Sequence, residues 1–226
     1  MTNTVIIVAG GRGRRMGRDI PKQFLILDGI PVIMHTLQRF YQYDNCMKII
    51  LVLPANEIFT WKNLCVEHKF TIPHQTVEGG EERFHSVKNA LKLTGENEIV
   101  AIHDGVRPLV SGKTIARCFE MAEKTGAAVP VVEITESLRY FESPDRSVSV
   151  NRKNYMTVQT PQVFKSEILV AAYAQAYSEN FTDDASVVEK SGHLITTVEG
   201  NRENIKITNP VDMEIAKILI EQRDFL

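Results

Sequence analysis

Short apolar runs alternate with longer segments of helical period along residues 4–133. β-Branched residues are concentrated in the short runs, whereas apolar residues recur every three or four positions in the longer segments. The pattern predicts strands at 4–8, 48–53, 72–77, 98–103 and 127–133. It predicts helices near 31–41, 55–68, 82–93 and 112–125. Strands that alternate with helices in this way indicate a parallel sheet with helices on both faces.

The predicted helix at 112–125 shows how complete the local signals are. Ser111 can cap its first turn, and Gly126 is placed to end it. Between them, one apolar stripe is formed by Ile115, Cys118, Phe119 and Ala122. These signals together define both ends and the apolar face of the helix.

The alternation fails between residues 134 and 164. Turn residues there are flanked by segments that alternate with period two; they are Ser143, Pro144 and Asp145. The pattern predicts a β-hairpin arm over 134–164 that projects from the domain. Because a two-stranded arm cannot bury both of its faces, such an arm commonly packs on a partner subunit.

Beyond the arm the α/β pattern resumes. Helices are predicted at 166–178, from Thr182 onward, and from Asn209–Pro210 onward, where Asn caps and Pro takes the first turn. Strands are predicted at 194–198 and 204–208. We interpret residues 1–226 as one domain of Rossmann-like α/β fold, a mostly parallel sheet flanked by helices, with the arm used for dimerisation.

Composition narrows the functional classes. Of the 226 residues, 43% are hydrophobic and 24% are charged, and the formal net charge is -2. These values are typical of a folded domain, and the net charge excludes a protein that binds nucleic acid through an overall positive charge. We expect a cytoplasmic protein, because no apolar run is long enough to span a membrane and no charged-then-apolar leader opens the chain. The histidines and cysteines show no metal-ligand spacing, and reduced thiols are expected at Cys46, Cys65 and Cys118.

A loop rich in glycine and arginine, VAGGRGRRMG at 8–17, follows the first predicted strand. It lacks the final small residue of the dinucleotide fingerprint, because Met16 stands there, and no glycine of this loop is followed by the Lys-Ser/Thr pair of a P-loop. Instead, Lys22 in PKQ is preceded by four arginines, Arg12, Arg14, Arg15 and Arg18. Backbone N–H groups and cations in this position favour a triphosphate site. The alternative is an exposed loop whose arginines are solvated.

Two further strand ends carry polar residues. The predicted strand 72–77 leads into GGEER, whose paired glycines let a base or phosphate approach a helix N-terminus; a tight turn is the alternative. The predicted strand 98–103 leads into HDGVRP, where Asp104 can hold Mg²⁺ or a sugar hydroxyl; a turn paired with Arg107 is the alternative. His103 is expected to be a packed structural residue.

The second half of the chain supplies cations and hydroxyls but no nucleophile with its base. Arg152 lies in the arm, and Lys206 alternates with Ile205 and Ile207, so it points off the face that they bury. The first interpretation of Thr182 is that it begins a helix with an acidic first turn. The second is that it contacts a phosphate or a hydroxyl. A substrate phosphate that is already ionised needs no protein base, only cations, positioning and a metal.

These motifs follow one another in a recognisable order. AGGRGRRMG with PKQF, GGEERFHSV, HDGVRP, QTPQVF, TDDASVVEKSG and NIKIT cover nearly the whole chain. The sequence resembles the 2-C-methyl-D-erythritol 4-phosphate cytidylyltransferase family, and the ordered set is highly specific for cytidylyltransferases that act on sugar-alcohol phosphates. The resemblance implies attack by the phosphate of methylerythritol phosphate on the α-phosphorus of CTP, release of pyrophosphate, a requirement for Mg²⁺, and a homodimer with crossing arms.

The resemblance also implies roles for individual residues. The transition state would be stabilised by Arg15 and Lys22, and the acceptor phosphate would be positioned by Arg152 and Lys206. The CTP site would be lined by Ala9, Gly10, Gly11, Gly13, Gly80, Glu81 and Ser86. The acceptor would be contacted by Asp104, Arg107, Ser137, Thr160 and Thr182. Asp104 is also the candidate metal ligand, and Arg152 and Thr160 would serve the neighbouring subunit's site.

Two positions depart from the family's pattern. Glu136–Ser137 stands where the family often has Asp-Thr, which keeps a hydroxyl for the acceptor, and Glu81 stands where many members have Asp. A ribitol 5-phosphate cytidylyltransferase is the nearest alternative, because it shares the glycine loop, PKQF and HD-x-x-RP. The alternative from another class is a nucleotide-binding regulatory module without catalysis. The separate cations predicted for CTP and for the acceptor argue against mere binding.

Overall fold

The computed structural model describes residues 2–11 and 20–222. The strands are β1 (Asn3–Val8), β2 (Ile26–Leu27), β3 (Ile30–Pro31), β4 (Lys48–Leu53), β5 (Gln75–Glu78), β6 (Ile99–Asp104), β7 (Ala127–Glu133), β8 (Leu138–Ser143), β9 (Arg146–Val150), β10 (Met156–Val158), β11 (Gln162–Lys165) and β12 (Thr196–Glu199). The helices are α1 (Val32–Tyr43), α2 (Ile58–Glu67), α3 (Arg83–Leu91), α4 (Gly112–Thr125), α5 (Ser166–Tyr173), α6 (Asp184–Lys190) and α7 (Pro210–Glu221). Short 3₁₀ turns occupy Lys22–Phe24, Ala55–Glu57 and Arg152–Asn154. No helix among the described residues is long and apolar enough to cross a membrane.

Within the described residues, eight strands form the main sheet, and β1 lies inside it. From one edge the order is β5, β4, β1, β6, β11 and β7, with β10 and β12 also paired to β7. β1, β4, β5, β6, β7 and β12 share one direction, while β10 and β11 run antiparallel to them. This arrangement confirms the predicted mostly parallel sheet. The carboxyl ends of β1, β4, β5 and β6 therefore meet at one edge.

The central strands are apolar along most of their length because helices cover both faces of the sheet. Val5 and Ile7 of β1 belong to a buried cluster that includes side chains of α1, α2 and α4. Ile6, which points to the opposite face, packs in a second cluster with α3, α5 and α6. Complete burial of each such side chain contributes about 2 kcal/mol. Two-sided burial explains why these strands read as continuous apolar runs.

Side-chain caps fix the starts of α4 and α6. Ser111 Oγ accepts the Thr114 N–H at 3.0 Å, and Gly126 ends α4 with a φ of 93°. Both limits of this helix are confirmed as predicted. Asp183 caps α6 in a capping box with Ser186, so two donors of the first turn have partners.

The predicted strand at 204–208 is wrong, because this segment forms a loop. Ile207 is buried against Met213 of α7, with Ile205 packed beside it. The Ile207 N–H donates to the Val106 carbonyl at 2.9 Å. Burial of alternate residues against a helix produces the same pattern as a strand without any strand pairing.

The segment predicted as the arm divides into two parts. β8 and β9 form a separate antiparallel hairpin, whereas β10 and β11 return to the main sheet. Period-two alternation identifies extended backbone but not its pairing partner, which explains the division. The helix predicted at 166–178 is shorter than expected and ends at Tyr173. The next backbone N–H, that of Ala174, donates to the Ala171 carbonyl three positions earlier, which is the tighter bond typical of a helix end.

Candidate active site

A cavity of about 380 Å³ opens at the edge of the sheet where β1, β4, β5 and β6 end. Its walls are the residues after β1, the 3₁₀ turn at Lys22, the start of α3, the end of β6 and the loop before α7. Among the residues predicted from the sequence, the lining includes Ala9, Gly10, Gly11, Lys22, Gly80, Glu81, Ser86, Asp104 and Lys206. Residues predicted for CTP and for the acceptor thus share one cavity. Gly13 and Arg15 lie outside the described residues.

Lys22 is brought back to the glycine loop by the 3₁₀ turn. The buried Gln23 side chain donates from Nε2 to the Ala9 carbonyl at 2.9 Å, which ties the turn to the end of β1. The Ala9 N–H donates to the Val52 carbonyl at 3.0 Å and so extends the β1–β4 pairing. A Cβ placed on Gly11 would lie 3.5 Å from Lys22 Cε. Glycine backbone and the lysine side chain therefore meet at one wall of the cavity.

The wall at the start of α3 depends on two glycines. The Gly79 N–H donates to the Leu53 carbonyl at 2.8 Å, and the Gly80 N–H donates to Ser86 Oγ at 3.0 Å. A Cβ on Gly80 would lie 2.4 Å from His85 Cβ, a separation that real side chains do not show. The turn is therefore tight, as one of the two interpretations predicts. Because both glycines also line the cavity, the tight turn and an exposed backbone for a ligand occur together.

Asp104 is the anionic centre of another wall. Its Oδ2 lies 3.1 Å from Arg107 Nε and 3.1 Å from Lys206 Nζ. Burial alone would raise the pKa of Asp104, but the cations of Arg83, Lys206 and Arg107 outweigh it and hold that pKa well below its usual range. Asp104 is therefore a carboxylate at neutral pH. The sequence allows two interpretations of Asp104, a turn residue paired with Arg107 or a residue of a binding site. In the structure Asp104 both pairs with Arg107 and lines the cavity.

Lys206 reaches Asp104 from the loop before α7. Ile207 beside it is buried, and this neighbour anchors the backbone of the loop. The Lys206 side chain points the other way and lines the cavity, as the alternation of the sequence predicts. It keeps 43% of its surface exposed, so an anion in the cavity has access to the ammonium group.

Thr160 lies between β10 and β11 of the main sheet and not on the hairpin. Its Oγ1 is 3.1 Å from the backbone nitrogen of Asp104 and 3.0 Å from Nδ1 of His103, both of the same chain. Thr160 is therefore placed beside the site of its own chain, because β10 and β11 carry it back to the main sheet, whereas the resemblance implies a role for it in the neighbouring subunit's site. His103 is buried against Phe40, with ring centroids 4.8 Å apart, which confirms it as a packed residue.

Three predicted acceptor contacts, Ser137, Arg152 and Thr182, lie apart from the main cavity, whereas Arg107 and Thr160 contact Asp104 without lining it. Ser137 is exposed just before β8. The Arg152 guanidinium donates to the Thr135 carbonyl and lines a separate cavity of about 420 Å³ beside β10. Thr182 is exposed before α6 and lines a small cavity of about 60 Å³. Within one chain, these residues are therefore not part of the wall that carries Asp104.

Arg83 is a cavity residue that the sequence motifs do not reveal. It is the first residue of α3, half-buried, and it lines both the main cavity and the small cavity beside Thr182. Its guanidinium contacts both carboxylate oxygens of buried Asp184, each at 2.6 Å, and Tyr173 Oη donates to the same group at 2.6 Å. A bidentate pair of this kind fixes the planar guanidinium. The signal available in the sequence is an acid at the start of α6 on the same side as the apolar residues Val187 and Val188, because a buried acid requires a cation.

The comparisons with known proteins agree along the chain. Residues 3–222 match the family model described as IspD, 2-C-methyl-D-erythritol 4-phosphate cytidylyltransferase. Proteins of that name from Bacteroides thetaiotaomicron and Phocaeicola vulgatus are 52% and 51% identical over 220 residues, which is 97% of this chain and 100% of each relative. The crystal structure of the Francisella tularensis enzyme of that name matches with a TM-score of 0.79 at 32% identity, covering 96% of this chain and 99% of that one. This chain therefore belongs to the 2-C-methyl-D-erythritol 4-phosphate cytidylyltransferase family.

Proposed function

We propose that this protein transfers the cytidylyl group of CTP to 2-C-methyl-D-erythritol 4-phosphate in non-mevalonate isoprenoid biosynthesis. The products are 4-diphosphocytidyl-2-C-methyl-D-erythritol and pyrophosphate. The observation that supports this best is that Lys22 and Lys206 enter one cavity from different walls, beside glycine backbone and Asp104. Two separate cations suit a reaction that joins two substrates carrying phosphate. The names of the relatives favour this acceptor over ribitol 5-phosphate.

The reaction requires no protein base. An oxygen of the ionised acceptor phosphate forms a bond to the α-phosphorus of CTP. The bond from that phosphorus to the bridging oxygen breaks, and its electron pair leaves with pyrophosphate. Negative charge grows on the oxygens around the phosphorus during the transfer. The Lys22 ammonium group, together with Arg15 as the family resemblance implies, would stabilise that charge.

The acceptor is proposed to bind toward Asp104 and Lys206. Because Asp104 stays ionised, it can accept hydrogen bonds from polyol hydroxyls, and Lys206 can hold the phosphate. Arg107 orients the carboxylate through its 3.1 Å contact with Oδ2. CTP would then lie along the glycine backbone of the other walls, with Glu81 and Ser86 beside it.

A divalent cation, which the family resemblance gives as Mg²⁺, fits this cavity as a companion of the CTP phosphates. The described residues contain no group of three His, Cys, Asp or Glu side chains able to hold a metal by themselves. In nucleotide sites Mg²⁺ takes one or two carboxylates and completes its coordination with phosphate oxygens and water. Asp104 is a carboxylate in the cavity that suits this role. When bound, the ion neutralises phosphate charge during the transfer.

We also propose a homodimer in which the hairpin of each chain packs against the other chain. Tyr140 and Phe141 of β8 are 62% and 65% exposed, although aromatic side chains contribute most when they are buried. Tyr140 pairs with Val148 across the hairpin, so one face of the arm carries an apolar pair. The family resemblance implies that in such a dimer Arg152 serves the partner's cavity. The free thiols of the described residues support a cytoplasmic location, which we propose as well.

The proposal is tested by incubating the protein with CTP, Mg²⁺ and one acceptor at a time while pyrophosphate is measured. Release with 2-C-methyl-D-erythritol 4-phosphate and none with ribitol 5-phosphate is the expected result. Release with ribitol 5-phosphate alone would overturn the choice of acceptor. If protein that binds CTP releases pyrophosphate with neither acceptor, the regulatory module is the better interpretation. Lys206→Ala serves as the control, because it is expected to lose turnover while it still binds CTP.

A further inference from the structure

Thr160 and His103 form a buried chain of hydrogen bonds beside the acceptor wall, which is the part of the cavity that carries Asp104 and Lys206. The Asp104 backbone nitrogen lies 3.1 Å from Thr160 Oγ1, which lies 3.0 Å from His103 Nδ1. At the other side of the ring, His103 Nε2 lies 3.1 Å from the carbonyl oxygen of Arg107. The chain of bonds thus begins at Asp104, which carries the carboxylate of the acceptor wall, and it ends at Arg107, the ion-pair partner of that carboxylate.

The direction of each bond follows from which atoms can donate. His103 is completely buried, and its two ring nitrogens meet a carbonyl oxygen and a hydroxyl rather than a carboxylate, so the ring is neutral and carries one N–H. The carbonyl of Arg107 can only accept, so the proton is on Nε2 and Nδ1 is an acceptor. Nδ1 therefore accepts the hydroxyl proton of Thr160, while the Thr160 oxygen accepts the N–H of Asp104. The single hydroxyl proton of Thr160 is used inside the protein.

We infer that Thr160 and His103 are positioning residues that hold Asp104 in place for the acceptor, and that Thr160 donates no hydrogen bond to the acceptor itself. This inference rests on the proposed acceptor site at Asp104 and Lys206, and it revises the contact that the family resemblance implies for Thr160. His103 is completely buried and acts through its neighbours. Without the Thr160 hydroxyl, a buried donor and a buried acceptor lose their partner, and the turn from Asp104 to Arg107 is free to shift.

The residues on either side of Thr160 hold other parts of the same region. Gln159 Nε2 donates to the Asn201 carbonyl at 2.9 Å, at the start of the loop that carries Lys206. Gln162 Nε2 donates to the capping carboxylate of α6 at 2.8 Å. One buried segment therefore sets the relative positions of the Asp104 turn, the lysine loop and the start of α6. Side chains locked by such contacts are what a preorganised site requires of its supporting residues.

The kinetic test compares Thr160→Val with Thr160→Ser. Valine keeps the volume and removes the hydroxyl, whereas serine keeps the hydroxyl. Thr160→Val is expected to raise the KM for methylerythritol phosphate about tenfold with the KM for CTP unchanged, the scale of one unsatisfied buried group. Thr160→Ser is expected to stay within about twofold of the wild type. A Thr160→Val enzyme with the wild-type KM for the acceptor would overturn the inference.

Nitrogen NMR of His103 separates positioning from direct contact, and it uses the wild-type chain. The Nδ1 resonance is expected to report a hydrogen-bonded acceptor. It is expected to stay unchanged when methylerythritol phosphate and an unreactive CTP analogue are added together. A shift toward the value of a free imidazole nitrogen would mean that Thr160 turns its proton to the acceptor, which contradicts the inference. A proton found on Nδ1 would contradict it equally.

Lys206→Ala distinguishes failure of this inference from failure of the proposed function. If Lys206→Ala leaves the KM for the acceptor unchanged, the acceptor does not bind at this wall, and both the proposed site and the inference fail. If Lys206→Ala raises that KM while Thr160→Val does not, the site stands and only the positioning role of Thr160 fails.

Discussion

The two ends of the cavity are built from different chemical groups. The end that we propose for CTP, called the nucleotide end, consists largely of backbone, with Ala9–Gly11 after β1 and Gly79–Gly80 before α3. The end that we propose for the acceptor, called the acceptor end, consists of charged side chains, with Asp104 and Lys206 3.1 Å apart. The N–H groups of Ala9, Gly79 and Gly80 donate within the protein, so this end suits phosphates and a flat base because glycine backbone without a side chain lets them approach closely. A carboxylate beside an ammonium group suits a polyol that carries a phosphate.

The two ends also differ in how much of each a single chain supplies. The glycines and Lys22 of the nucleotide end meet in one chain. At the acceptor end, Ser137 and Arg152 lie at the hairpin, away from Asp104 of the same chain. The nucleotide end is therefore expected to work within one subunit, whereas the acceptor end is expected to need two. This difference determines which defects a second subunit can repair.

The largest effect is expected at the nucleotide end, from Lys22→Ala. Removing a preorganised group that stabilises developing charge costs on the order of 10²–10³ in turnover. We expect kcat for pyrophosphate release to fall at least about 100-fold, and Arg15→Ala to lose a similar factor. Lys62→Ala, on the exposed surface of α2, is the control and is expected to match the wild type. Near-normal turnover in Lys22→Ala would refute the role given to this lysine.

Subunit mixing tests the acceptor end. Arg152→Ala and Lys206→Ala proteins are each expected to be nearly inactive alone. After exchange, about half of the dimers are heterodimers, and one of the two sites in each contains both native residues, so about a quarter of the wild-type activity should return. Pyrophosphate release by the mixture, compared with each variant alone, is the measurement.

A second mixture serves as the control for this experiment. Lys22 and Lys206 line the cavity of the same chain, so a heterodimer of Lys22→Ala and Lys206→Ala contains no site with both native residues. No activity is expected to return. If the Arg152→Ala and Lys206→Ala mixture also stays inactive, although mass spectrometry shows that subunits have exchanged, the acceptor site is not shared between chains.

Local patterns account for most of the fold and for the nucleotide end. Ser111 and Gly126 mark the ends of α4 where the structure has them, because capping depends on residues a few positions apart. The glycine loop and Asp104 meet because the carboxyl ends of parallel strands lie at one edge of a sheet. Both inferences need only the order of the elements and the position of each motif at a strand end.

Contacts between distant residues account for what the sequence does not reveal. Arg83 and Asp184 are 101 positions apart, and the local pattern around either one gives no sign of the other. Thr160 bonds to Asp104 across 56 positions, because β10 and β11 leave the hairpin and return to the sheet. Alternating residues are compatible with a hairpin, with a sheet strand or with a loop packed on a helix, so only tertiary packing decides among them.

The smallest effect on the enzyme at neutral pH is expected from the titration of His103 at the acceptor end. Burial lowers the pKa of His103 from 6.5 to about 4. Between these values the unfolded chain binds a proton at His103 and the folded chain does not, so the free energy of unfolding falls as the pH falls from 6.5 to 4. The full contribution is about 3 kcal/mol, because one pKa unit corresponds to about 1.36 kcal/mol. It is fully present above pH 6.5.

His103→Asn removes the titrating group and is expected to flatten the dependence of the unfolding free energy on pH in this window. Urea unfolding between pH 4 and 7 at a fixed protein concentration measures that dependence. His193→Asn is the matched control, because His193 is exposed and its replacement is expected to keep the wild-type slope. If the wild-type and His103→Asn curves run parallel, His103 is not neutral in the folded chain. The proton of Thr160 would then not be committed to Nδ1, and the acceptor end would lose the fixed support that distinguishes it from the backbone-built nucleotide end.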